Sequence, residues 1–438
     1  MKISLSSPAL LVPALLLALG CAHAADLSPT EQNIVASIKA RSPQALQLLE
    51  QSVNINSGTM NHAGVRAVGQ LYRQALDQLG FATRWIDMPP AMQRAGHLLA
   101  TRAGSATRGK RLLLLGHLDT VFEKDSPVQR WQRNGDRVRG QGVNDMKGGD
   151  VVILEALRAL HRAGALDDTT ITVMFTGDEE DAGEPIAVSR ADMVAAARRS
   201  DIALSFEATM RNRAGQDTGT VGRRSSSSWE LEVKGRQGHS SAIFTDKAGY
   251  GAVYEAARIL DGFRQQVIEP DLTFSAGLIV GGTEAAVDAA GTKGQAAGKT
   301  NVIARSTLVR GDLRYLSYEQ RDRAHATMRA IVARNLPGTS ASITFHDAYP
   351  PMPPTPGNLA VLDVYSQASS DAGLGPIPAL PPGQRGAGDI QFVAALVDSL
   401  DGLGVAGNGA HSPDEDFDIA SLERATIRSA LLIYRLTH

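Results

Sequence analysis

The sequence predicts an α/β protein built on a mixed, largely parallel sheet and interrupted by a smaller α+β insertion. Apolar strands at Lys110–Leu115 and Thr169–Phe175 bracket a helix from about Gly148 to Ala163, the strand, helix, strand order of a parallel sheet. From about residue 224 the texture changes, and Trp229-Glu230-Leu231-Glu232-Val233 alternates apolar with charged, as in a sheet with one wetted face. A proline-rich stretch, Pro350 to Pro356, then returns the chain to its first pattern.

The elements follow in order. Met1 to Ala24 reads as a secretory leader: Lys2, the apolar run Ala9 to Leu19, and the small-residue site Ala22-His23-Ala24. That run is shorter than the roughly 20 residues needed to span a bilayer. A competing reading makes Cys21 a lipidated N-terminus, although Ala18 stands where leucine is usual. Export to the periplasm or beyond is expected either way. Cleavage after Ala24 removes the single cysteine of the chain, so the mature protein has no disulfide and must rely on a large core and bound metal.

Pro43 to Glu50 and Gly64 to Leu79 have helical spacing, the second stopped by Gly80, and Phe81 to Ile86 resumes as a strand. Within residues 224–350 we expect helices at Tyr250–Arg264 and Tyr318–Asn335 and strands at Thr307–Tyr315 and Ser342–Phe345. Helix Leu359–Ala372 and the segments up to Arg435 complete the main unit. The expected division is 1–24 leader, 25–223 and 351–438 catalytic domain, and 224–350 insertion. Gly281 to Lys299, rich in Gly and Ala without an apolar period, reads as a solvated loop or a flap near substrate. The net charge of −2 gives no reason to expect nucleic acid or an anionic membrane as partner.

Chemistry-bearing residues gather at predicted strand ends. His117 and Asp119 close the run Leu112-Leu113-Leu114-Leu115-Gly116; residues two apart on a strand share a face, so His117 can take a metal while Asp119 holds its other ring nitrogen. Asp145 stands in the glycine-rich turn Gly140 to Gly149 before a helix. Its ordinary reading is a helix cap, yet one carboxylate can also bridge two cations. Asp178-Glu179-Glu180-Asp181 packs like charges at a strand end, where repulsion is costly without compensation. One glutamate there can coordinate metal while the other reaches an attacking water. Ala203 to Glu207 is another apolar strand ending in a carboxylate, and His411 lies in a late turn. Together His117, Asp145, Glu180, Glu207 and His411 offer nitrogen and oxygen donors without thiolate, which suits zinc and leaves cobalt or manganese open.

Through Gly116-His117-Leu118-Asp119-Thr120-Val121-Phe122, Asp145-Met146-Lys147-Gly148-Gly149, Asp178-Glu179-Glu180, Leu204-Ser205-Phe206-Glu207 and His411, the chain resembles the dinuclear zinc aminoacylase and carboxypeptidase family, the M20 metallopeptidases. It is most similar to the bacterial glutamate carboxypeptidase branch. The resemblance implies a zinc-exopeptidase-like catalytic domain with an inserted lid and dimerisation domain, two Zn²⁺ per chain, and a homodimer through residues 224–350. It further implies that Asp145 bridges, with His117 and Glu207 on one ion and Glu180 and His411 on the other. Glu179 is then the general base and Asp119 the residue that orients His117. His239, in Gly238-His239-Ser240-Ser241, steadies the oxyanion, and Arg314 and Asn301 take the substrate carboxylate. Gly386-Ala387-Gly388-Asp389 departs from the family pattern, with Gly388 where a hydroxyl residue is usual.

The implied activity is removal of a C-terminal amino acid, glutamate being the best single guess, from a peptide or N-acyl conjugate. An N-acyl amino acid hydrolase or dipeptidase would use the same machinery. A non-catalytic periplasmic binding protein would need no base, and a structural zinc site is usually thiolate-rich, so Glu179 and the absence of mature cysteine argue against both.

Overall fold

The computed structural model describes residues 27–104, 109–127, 129–288 and 291–438; the expected leader and Cys21 lie outside them. Leu112–His117 is buried at every position because it runs between Ile171–Thr176 and Ile202–Ser205, both parallel to it. Asp398–Leu400, contributed after the insertion, extends the sheet in parallel beyond Ile202–Ser205. At the other edge His97–Arg102 and Ala82–Ile86 add antiparallel strands. The result is a mixed six-stranded sheet whose central pairings are parallel. Strands with neighbours on both sides and layers on both faces must be apolar throughout, which is why Leu112 to Leu115 reads as an unbroken run.

Helices Pro29–Val53, Lys147–Arg162 and Ile419–Thr437 pack together over this sheet. The first is far longer than the expected Pro43–Glu50, with Pro43 inside it. Its true start is a capping box in which Ser28 Oγ accepts from the Glu31 N–H and Glu31 accepts from the Ser28 N–H. Proline's preference for first turns points here to the wrong turn.

Residues 226–349 build a second sheet, all antiparallel, ordered Thr339–Tyr349, Ser226–Gly235, Ser306–Arg314, Thr273–Gly282. Trp229, Leu231 and Val233 alternate onto one face, which helices Ala252–Gln266 and Tyr318–Val332 cover. The buried side chains of this core all come from Trp229 to Val332. Gly281 to Lys299 is not a loop: Thr273–Gly282 ends in it, and Glu284–Val287 pairs with Gly294–Ala297 as a hairpin. No described residue of the hairpin is buried, so there is no apolar period to read. The two connections to the insertion run side by side, the Arg223 N–H donating to the Met352 carbonyl at 2.9 Å and the Met352 N–H to Arg223 at 3.0 Å.

Helix Lys147–Arg162 approaches the end of Ile202–Ser205 very closely. A Cβ on Gly149 would stand 1.8 Å from the Phe206 carbonyl oxygen. Gly149→Ala should therefore force these two elements apart and cost about 1–3 kcal/mol of stability. Urea unfolding monitored by circular dichroism tests this, and an unchanged midpoint would contradict the packing.

Candidate metal centre

His117 closes the central strand and is buried. Its Nδ1–H donates to the Asp119 carbonyl oxygen at 3.0 Å, leaving Nε2 with no hydrogen-bond partner, 3.3 Å from Asp145 Oδ1 and 3.7 Å from Glu207 Oε1. On the other side His411 Nε2 lies 3.1 Å from Asp145 Oδ2 and 3.0 Å from Glu180 Oε2. The two oxygens of Asp145 thus face two different imidazoles, each accompanied by its own glutamate. His411 holds its place with φ +64°, in the left-handed region that non-glycine residues seldom occupy.

Asp119 differs in detail from expectation. Its backbone carbonyl, not its carboxylate, takes the His117 proton, the carboxylate being 3.5 Å from Nδ1. That carboxylate instead accepts from the N–H groups of Glu179 at 3.0 Å and Glu180 at 3.1 Å and from Thr59 Oγ at 2.7 Å. The strand ends at His117, so period-two geometry no longer governs residue 119.

The electrostatics fit cations. Burial, then the neighbouring Asp145 charge, pushes Glu207 up to about 8, and burial also holds Glu179 and Glu180 above the usual carboxylate range. Hydrogen bonds to Asp145 and Glu180 push His411 up to about 11. Burial opposes the Asp145 charge, yet contacts with both histidines hold its carboxyl well below the ordinary range. Carboxylates that raise one another's proton affinity around an unpartnered imidazole nitrogen form a cavity that divalent cations would relieve. His117, Glu179 and Glu207, and likewise His117, Asp145 and Glu180, offer donor atoms that all lie within 4.8 Å of one another.

Several residues that sequence reasoning did not single out hold this arrangement. Buried Glu415 accepts from the backbone N–H groups of Asn144 at 2.7 Å, Asp145 at 3.0 Å and Gly142 at 3.3 Å, fixing the turn that presents Asp145. Buried Arg190 pairs with Asp178 and Asp389, and Asp389 also accepts from Thr176 Oγ at 2.6 Å. The Tyr349 hydroxyl donates to the Glu179 carbonyl at 3.1 Å. At Gly388, the departure from the family pattern, a Cβ would stand 3.0 Å from the Arg223 guanidinium carbon, a tight approach.

The remaining expected residues lie elsewhere. His239 is exposed, with Nδ1 2.8 Å from Ser241 Oγ. Asn301 is also exposed and adjoins it, the Ser240 N–H donating to the Asn301 carbonyl. Half-buried Arg314 pairs with Asp312 at 3.0 Å. None of the three lines the cavity bounded by Asp145, Glu179, Glu180, Glu207 and His411.

Glu415→Ala should remove the acceptor for three N–H groups and weaken metal binding about 10- to 100-fold, with Glu415→Gln losing less. A zinc competition titration measures this; unaltered affinity in the alanine variant would show that the turn stands without Glu415.

Residues 113–435 match the peptidase family M20/M25/M40. Carboxypeptidase G2 of Pseudomonas sp. (strain RS-16) is 27% identical over 409 residues, covering 90% of this chain and 89% of that one. A succinyl-diaminopimelate desuccinylase of Variovorax paradoxus (strain S110) is 26% identical over 402 residues, covering 87% and 95%. The solved structure of Bacillus subtilis YXEP protein, described as a dinuclear metal binding peptidase, superposes with a TM-score of 0.63 at 16% identity, covering 91% of this chain and 99% of that one. With most of its length matched, the chain belongs to peptidase family M20/M25/M40 and is a metal-dependent hydrolase of that family.

Proposed function

We propose that this protein is an exported zinc exopeptidase that hydrolyses the amide bond to a C-terminal amino acid, glutamate foremost, in a peptide or N-acyl conjugate. The observation that carries the reading is the sharing of Asp145 between His117 and His411. His117 and Glu207 would hold one cation, His411 and Glu180 the other, with Asp145 common to both. The chemistry that paired divalent cations would supply there is polarisation of a carbonyl and a lowering of the pKa of water towards about 7. Glu179 stands within the same space as His117 and Glu207, and burial keeps its proton affinity high. Those are the properties of a group that takes a proton from water and returns it to the departing amine. Asp119 fixes both glutamates through their backbone N–H groups. The relatives' names, a carboxypeptidase and a desuccinylase, favour amide hydrolysis over ligand binding alone.

Glu179→Ala should lower kcat about 10²- to 10⁴-fold while two metal ions per chain remain bound. Turnover on benzoyl-glutamate, benzoyl-leucine and a free dipeptide, with metal content by mass spectrometry, tests the reading. Unchanged hydrolysis would remove Glu179 as the base, and indifference to the terminal residue would remove the glutamate preference.

The same proposal includes a homodimer through residues 224–350 in which His239 and Asn301 of one copy serve the other's site. Supporting it, His239 and Asn301 stand together outside their own cavity, and Phe244 and Tyr254 meet edge to face at 5.3 Å while each is 53% exposed. Refolding Glu179→Ala together with His239→Ala should restore activity, because mixed dimers regain one complete site. No recovery, or a monomer by light scattering, would overturn the arrangement.

A further inference from the structure

The cavity at the metal centre carries positive charge as well as negative. It is walled on one side by two arginines, Arg223 and Arg385, and by Gly386 and Ala387. The two cations differ in kind. Arg223 is buried and engaged: its Nε donates to Asp401 at 2.6 Å and its Nη1 to the carbonyls of Gly386 and Ala387, both at 2.8 Å. It therefore fixes the turn that follows Arg385. Arg385 has no ion pair among the described residues, and its Nε is buried without a hydrogen-bond partner. Its strongest charged neighbour is the like charge of Arg223, ahead of Asp401, Glu207 and Asp145.

A guanidinium held in a cavity without an acceptor costs free energy until something satisfies it. None of the cavity's own acids pairs with Arg385 among the described residues: Asp145 and Glu180 face the histidines, Glu207 lies beside His117, and Glu179 shares that space. A planar fork of donors matches a carboxylate. The cavity, about 240 Å³, is lined by Arg385 and by the acids of the centre alike, so a carboxylate that reaches Arg385 lies close to an amide held at that centre.

We propose that Arg385 is the substrate-reading cation of this centre, pairing with a carboxylate carried on a short spacer next to the scissile amide and held in register by Arg223. The inference rests on the hydrolase reading above and sharpens it to acidic substrates. The carboxylate can belong to the released amino acid or to the acyl group, and two substrate pairs distinguish them: benzoyl-glutamate against benzoyl-glutamine, and succinyl-leucine against butyryl-leucine.

The test compares the metal-loaded full-length enzyme with Arg385→Ala and Arg385→Lys. In one of the two pairs the acidic-over-neutral ratio of kcat/KM should fall about 10- to 100-fold in Arg385→Ala, with partial recovery in Arg385→Lys. Calorimetric titration with glutarate should show a loss of similar size, at unchanged metal content. An equal loss on all four substrates, with glutarate binding unaltered, would overturn the proposal. If the wild type cleaves none of the four, the hydrolase reading has failed instead, and the glutarate titration alone decides: binding that depends on Arg385 supports an anion site, and binding that ignores it overturns one.

Discussion

Like charge crowded into a small buried volume is the constraint around which this molecule is organised. Asp145, Glu179, Glu180 and Glu207 converge beside His117, where burial drives the glutamates towards protonation. Carboxylates so placed repel one another and are stable only where cations, protons or donors compensate. The fold supplies donors one layer back. Asp119 collects the N–H groups of Glu179 and Glu180, and Glu415 collects those of Gly142, Asn144 and Asp145. Each bracing acid is satisfied by backbone and so leaves the cavity-facing oxygens free for metal.

Parallel strands make the convergence possible because their carboxyl ends lie along one edge. Leu112–His117, Ile171–Thr176 and Ile202–Ser205 deliver His117, the Asp178 to Glu180 turn and Glu207 to it. Asp145 comes from the turn before Lys147–Arg162 and His411 from the end of the chain, whose neighbouring segments are tied in by buried ion pairs, Arg190 to Asp389 and Arg223 to Asp401. Such pairs add little net stability but are costly to break, so they fix register between segments roughly two hundred residues apart. The insertion interrupts without disturbing this, since the chain leaves and returns on hydrogen-bonded neighbours at Arg223 and Met352.

What could be read in the sequence follows from the range of each interaction. His117, Glu180 and Glu207 were legible because each follows an apolar run whose length announces a buried strand, and the site lies where such runs stop. Asp145 needed more, since a carboxylate before a helix is ordinarily a cap. The strand His97–Arg102 went unseen because only Leu98 to Ala100 form an apolar run in it, and the helix start at Ser28 because Pro43 offered a stronger local signal. Glu415 and Arg190 act across long stretches of chain on backbone N–H groups and on other acids, and no periodicity marks such contacts. The orientation of Asp119 fails for a subtler reason: a rule for extended backbone was carried past the residue where the strand ends.

These layers divide the labour of the site. On the proposed reading, the groups that would face the scissile bond stand on strand ends and on braced turns, and they can shift little without exposing unpaired charge. The groups that on the same reading would face the remainder of a substrate stand on the Arg385–Ala387 turn and on the insertion, where Arg314, Asn301 and His239 are half-buried or exposed. Substitutions there alter what is bound while leaving the buried charges compensated. That separation explains how relatives bearing names as different as carboxypeptidase and desuccinylase can share one fold. On the proposed reading it also locates selectivity: the metal centre would determine that an amide is cut, and the cations above it which amide reaches the centre.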